Sequence, residues 1–207
     1  MFINNKLKRW EAALMVGVAV SLLAGAVLER EHRELAERVI RLHVIANSDA
    51  PADQALKLQV RDRVLECAAD MYEPEDDMQS ACQRLRGQLG TLQRAGEQVV
   101  REQGYDYPVQ VTLGNVRFPT KQYEDFALPA GEYTALRVVI GKGAGENWWC
   151  VAFPPLCLGS VTETVDEAAQ AGHFTQKQVS LITGECEGYV FKFKAMEIWE
   201  QCKAFFH

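Results

Sequence analysis

Positions 12–28 carry no charged side chain, and Ser21 is the only polar one among them. Lys6, Lys8 and Arg9 lie just before this run. A helix over it rises about 1.5 Å per residue and reaches about 25 Å, somewhat less than a ~30 Å hydrocarbon core. A basic flank of this kind holds an N-terminus on the cytoplasmic side. The pattern predicts that residues 1–28 are a signal peptide or a transmembrane anchor, and that the chain beyond Leu28 is exported. Ala24 and Ala26 supply the small residues that signal peptidase reads, which places a cleavage point after Ala26. An uncleaved helix holds the protein to the membrane through residues 12–28; a cleaved one releases it.

The remainder reads as one folded domain, residues 39–207. At 48% hydrophobic and 24% charged residues the chain is too apolar for a disordered polyelectrolyte and has no periodic composition. The net charge of -6 argues against nucleic acid as a partner, because phosphates require a basic footprint.

Local patterns alternate between the helical and the extended period. Residues 39–45 are aliphatic and β-branched with Arg41 and His43 interspersed, which predicts a half-buried strand carrying those two side chains on its polar face. Ser48 or Asp49 then caps a helix whose first turn accepts Pro51. Leu56, Val60, Val64, Cys67 and Met71 form one helical stripe; Met78, Cys82, Leu85, Leu89, Leu92, Gly96 and Val99 form a second, closed by Gly104. Beyond it the period becomes two. Val109, Val111 and Leu113 read as one strand and Val116 with Phe118 as another, with Asn115 turning between them. Residues 133–140 and 148–153 read as an antiparallel hairpin with a mobile glycine tip at residues 141–147. Residues 189–194 predict a last strand and residues 195–206 a last helix. The fold class is α+β: a single domain with a mixed, largely antiparallel sheet and packed amphipathic helices, after an N-terminal transmembrane or signal helix.

Motifs for chemistry are mostly missing. The segment GKGAGE at residues 141–146 matches neither the P-loop spacing nor GxGxxG, and a strand rather than a helix comes after it. Cys150, Cys157, His173 and Cys186 have no metal-ligand spacing, so no metal and no cofactor are assigned. His43 beside Asn47 and Asp49 is the best catalytic constellation, yet it reads equally as a strand histidine next to a helix cap, and no catalytic residue is assigned. Cys150 and Cys157 flank the Pro154–Pro155 bend and are either a disulfide or two buried thiols. Cys67 and Cys82 read as core residues, with a bridge between antiparallel helices as the alternative. Trp148 and Trp149, adjacent on a strand, point to opposite faces.

The strings IRLHVIANSD (residues 40–49) and QALK (54–57), then FPTKxY, PAGEYxALRV and GxGxGxNWWCVxFPPLC up to residue 157, resemble the stage II sporulation protein R family, in the family's order. The resemblance covers residues 39–158. It implies an exported signalling protein that crosses the forespore membrane into the intermembrane space. There it activates a membrane-embedded aspartic protease of the mother cell, which processes pro-sigma-E; it carries no catalytic residue of its own. Contact with that partner is expected at Asn47, Asp49, Asn147, Trp148 and Trp149, on loops held by a rigid scaffold. Two rival classes remain: an extracytoplasmic enzyme acting on peptidoglycan or another envelope substrate, and a structural envelope protein.

Overall fold

The computed structural model describes residues 9–73, 76–123 and 127–156. The chain divides into two compact units, Met1–Leu35 and Ala36–His207.

The first unit is occupied by helix α1, Arg9–Ala36. Its apolar run passes directly into a charged stretch, where Arg30 and Glu34 pair one turn apart at 2.9 Å. Among the described residues, no helix is long and apolar enough to cross a membrane. This finding corrects the expected N-terminal transmembrane or signal helix, the membrane contact through residues 12–28 and the anchored location that depended on it. The physical reason lies in length: about 25 Å of charge-free helix falls short of a ~30 Å hydrocarbon core, and acids and bases continue the same helix.

The second unit is an α+β sandwich of helices on a sheet. Its described elements are β1 (Ile40–Ile45), α2 (Pro51–Ala69), α3 (Met78–Gly87), α4 (Leu89–Glu102), β2 (Val109–Phe118), β3 (Lys121–Gln122), β4 (Ala127–Leu128), β5 (Gly131–Ile140) and β6 (Asn147–Phe153). The main sheet has the order β2-β5-β1-β6, and β3 pairs with β4 separately. In that main sheet β1 and β5 run parallel, while β2–β5 and β1–β6 are antiparallel.

One sheet face carries the apolar core. Leu42 and Val44 of β1, Leu136 and Val138 of β5 and Val109 and Val111 of β2 pack with Leu56, Val60 and Val64 of α2 and Leu92 and Val99 of α4. These are the stripes the helical spacing predicts. Burying side chains of this size contributes roughly 1.5–3 kcal/mol each before chain entropy is counted. Gly96 sits where α4 approaches most closely: a Cβ there would lie 3.1 Å from Val109 Cγ1 and 3.4 Å from Val60 Cγ1. At the helix end, Gly104 adopts φ +79° and Tyr105 N–H bonds the Val100 carbonyl at 3.0 Å, as Gly104 N–H does that of Arg101. This is the left-handed termination that only glycine takes without strain.

Four local expectations change. The second helical stripe is divided between α3 and α4 at Gln88. Asn115 does not turn; β2 runs unbroken through ten register pairs with β5. The expected hairpin of residues 133–140 and 148–153 does not form, because β1 lies between β5 and β6. The glycine loop must therefore cross two strand spacings, about 10 Å, over the end of β1, which accounts for its length. Finally, β1 is buried on both faces: Arg41 is 0% and His43 6% exposed. A central strand has no polar face to offer. The expected strand at 189–194 and helix at 195–206 lie outside the described residues.

Candidate functional site

Two loops meet at one end of the sheet, beyond the carboxyl ends of the parallel strands β1 and β5. Such ends are where open α/β sheets bring loops together to form sites. The first loop, residues 46–50, leads from β1 into α2; the second, residues 141–146, bridges from β5 to β6. Their backbones are joined by Ala144 N–H to the Asn47 carbonyl at 3.2 Å and Gly145 N–H to the Ala46 carbonyl at 3.0 Å. Gly141 and Gly143 both have positive φ, +58° and +60°. A side chain on Gly141 would strike Asn47, and one on Gly145 the Ser48 carbonyl. The tip expected to be mobile is bound down along its length.

Side chains complete the lock. Asn47 donates from Nδ2 to Asp53 Oδ2 at 2.8 Å and accepts the Lys142 N–H on Oδ1 at 3.0 Å. Ser48 Oγ donates to the same Asp53 oxygen, while Asp49 Oδ1 accepts the Glu146 N–H at 2.7 Å. Hydrogen bonds from Ser48 and then Asn47 hold the Asp53 carboxyl below its ordinary pKa. Contrary to the capping expectation, neither Ser48 nor Asp49 caps α2; Ala50 occupies the N-cap position without a side-chain bond, and Pro51 does open the helix. Lys57, only 4% exposed, donates to Gln54 Oε1 and to the Glu146 carbonyl at 3.0 Å, and Gln54 Nε2 in turn donates to the Ser48 carbonyl at 2.9 Å, so the two loops are linked through α2. Burial lowers its pKa, with Glu146 and Asp49 opposing that shift.

The expected contact residues separate into two groups here. Asp49, Asn147 and Trp148 are exposed on the rim. Asn47 is half-buried and ties the loops together; Trp149 is half-buried and stacks on His43 with ring centroids 3.9 Å apart. Asn147 Oδ1 lies 2.7 Å from His43 Nε2, and since an amide oxygen accepts, Nε2 carries the proton. The two tryptophans do point oppositely. Trp148 lies on the α2 side, 38% exposed, with the Arg61 guanidinium 4.5 Å over its ring.

Behind the rim, the sheet face opposite the helices holds a second cluster. The Arg41 guanidinium lies 4.2 Å from the Phe118 ring centroid and 5.0 Å from that of Tyr133. Its Nη2 donates to the Tyr123 hydroxyl at 2.9 Å, and that hydroxyl donates to the Trp149 carbonyl at 3.1 Å. Among the described residues, Nε and Nη1 of Arg41 and Nδ1 of His43 are buried without a hydrogen-bond partner. Burial lowers the His43 pKa; the Asn147 bond opposes this in part, and Arg137 beside it adds to the lowering. Sequence reasoning missed Asp53, Lys57 and Arg61; Asp53 is bound by Asn47 and Ser48 close by in the chain, whereas the roles of Lys57 and Arg61 depend on Glu146 and Trp148, far away in it. The one available signal was an acid and a base on the first two turns of an otherwise apolar-striped helix.

No group of three or more metal-ligating side chains occurs among the described residues. Cys67 and Cys82 are free thiols, so the bridge between them is excluded, and Cys150 is disulfide-bonded. The expected pairing of Cys150 with Cys157 falls outside the described residues.

The family model described as stage II sporulation protein R matches residues 36–163, more than half of the chain. A protein of Bacillus subtilis (strain 168) named "Stage II sporulation protein R" is 29% identical over 182 residues, covering 84% of this chain and 81% of its own. No solved structure matches.

Proposed function

Because the chain belongs to the stage II sporulation protein R family, a family of non-catalytic signalling proteins, we propose that it switches on the membrane-embedded aspartic protease that processes pro-sigma-E. Its place in sporulation signalling comes from the family; the activated protease and its substrate are the finer step. Activation of this kind needs only differential binding. A ligand that favours the active state of its partner by ~3 kcal/mol shifts the ratio of states about 150-fold.

The observation that supports a contact surface is the doubly bound loop pair at residues 46–50 and 141–146. It holds Asp49, Asn147 and Trp148 outward on a scaffold that loses little entropy on binding. Trp148 is the natural anchor, being large, partly exposed and backed by Arg61. Asn47 and Trp149 act from behind, the first by fixing the loops and the second by packing beneath the rim. The test is reconstitution. The full chain is added to membranes containing the protease and its pro-sigma substrate, and cleavage is monitored. Cleavage is expected, with Trp148→Ala weakening the activation about 10- to 100-fold while circular dichroism stays unchanged. Absence of cleavage with the parent chain overturns the activator role. Full activation by both Trp148→Ala and Asp49→Ala leaves the role and removes this surface.

A further inference from the structure

Asp53 stands on the first turn of α2, where an acid is ordinarily explained by the unpaired N–H groups of a helix N-terminus. Its surroundings go beyond that role. The residue is only 5% exposed, and among the described residues the carboxylate is held by hydrogen-bond donors. Asn47 Nδ2 and Ser48 Oγ both donate to its Oδ2, and the Tyr107 hydroxyl turns toward the same carboxyl from the segment before β2. A carboxylate can only accept, and a buried one left without donors is costly. It therefore fixes which end of the Asn47 amide faces it. With Nδ2 directed at Asp53, Oδ1 is left for the opposite side, where it accepts the Lys142 N–H at 3.0 Å. Lys142 lies between Gly141 and Gly143, both at positive φ, in the loop that leads to Asn147 and Trp148.

We propose that Asp53 is a positioning residue for the activation described above: by orienting the Asn47 amide it sets the conformation of the 141–146 loop, and with it the placing of Asn147 and Trp148. The effect on signalling rests on the activator reading; the hold on the loop does not. The pairing can be reversed at nearly constant size. When Asn47→Asp is combined with Asp53→Asn, the new amide at position 53 donates to the new carboxylate at position 47, which still accepts the Lys142 N–H. Ser48 Oγ, able to donate or accept, takes the second amide hydrogen.

The test is amide hydrogen exchange of the full chain, with activation of the protease measured alongside. Asp53→Ala removes the acceptor, and Asn47→Asp alone sets two carboxylates against each other. Each is expected to speed exchange of the Lys142 N–H at least about tenfold and to weaken activation by a similar factor. The double variant should return both to within about threefold of the parent. An acid that serves only the N-terminus of α2 gives no such recovery. Unchanged Lys142 exchange in Asp53→Ala, or an Asn47→Asp defect that Asp53→Asn does not relieve, overturns the proposal. If Asp53→Ala does not fold, that relief alone decides it. The exchange measurement needs no protease, so a parent that fails to activate removes the activator reading while the hold of Asp53 on the loop is still decided.

Discussion

On the side of the sheet covered by α2 and α4, the inward side chains are aliphatic and interdigitate; on the other side, the same strands turn Arg41, His43, Tyr133 and Trp149 into a cluster with Phe118 and Tyr123. Both faces bury β1 completely. The helix face derives its stability from apolar area and close fit, down to a glycine at the tightest approach of α4. The aromatic face encloses a guanidinium whose Nε and Nη1 have no hydrogen-bond partner among the described residues; burying such groups costs desolvation energy, which the Phe118 and Tyr133 ring contacts oppose. That face reaches, through Trp149 and His43, one side of the rim proposed to meet the partner, and Trp148 stands on the other, beside Arg61 of α2.

Substitutions on the two faces test this division. Leu136→Ala, on the helix face at 0% exposure, truncates a side chain in a packed core and is expected to cost about 2–5 kcal/mol in urea unfolding. Arg41→Met fills a similar volume without charge. It should change stability by no more than about 1 kcal/mol in either direction, because Tyr123 retains its bond to the Trp149 carbonyl. A loss near that of Leu136→Ala would falsify the contrast, since the aromatic face would then be as necessary to the fold as the apolar one.

The smallest effect is pH-dependent. His43 has its pKa depressed below the ordinary 6.5, chiefly by burial. Its unfolded form therefore takes up a proton before the folded form does. The stability linked to His43 is fully present above the unfolded value and declines as pH falls through it toward the lower folded value. Unfolding free energies measured at about pH 7.5 and about pH 5.5 should fall less in His43→Gln than in the parent. Equal declines in both proteins would place the pH sensitivity elsewhere.

Much of the helix face was legible. Leu56, Val60 and Val64 recur at helical spacing, and the strands over residues 109–113 and 133–140 alternate; local periodicity reports which side of an element is apolar. Periodicity could not report that the other side of β1 is also covered, because that cover arrives from Phe118, Tyr123, Tyr133 and Trp149, distant in sequence. The same limit misread residues 141–147. A glycine-rich stretch between two strands suits a free hairpin tip equally well as a bridge over an intervening strand, and only strand order distinguishes them.

The family, the α+β class of the second unit (though not the transmembrane or signal helix expected before it) and the positions of Asn47, Asp49 and Trp148 on loops and strand ends were legible in the amino-acid sequence alone, through odd strings of residues and turn chemistry that are local properties. The insertion of β1 between β5 and β6, the burial of Arg41 and His43 and the locking of two loops by Asn47, Asp49, Asp53 and Lys57 were decided only in three dimensions. Each depends on which remote segment arrives at a given face, and that outcome is settled by the packing of the whole domain at once.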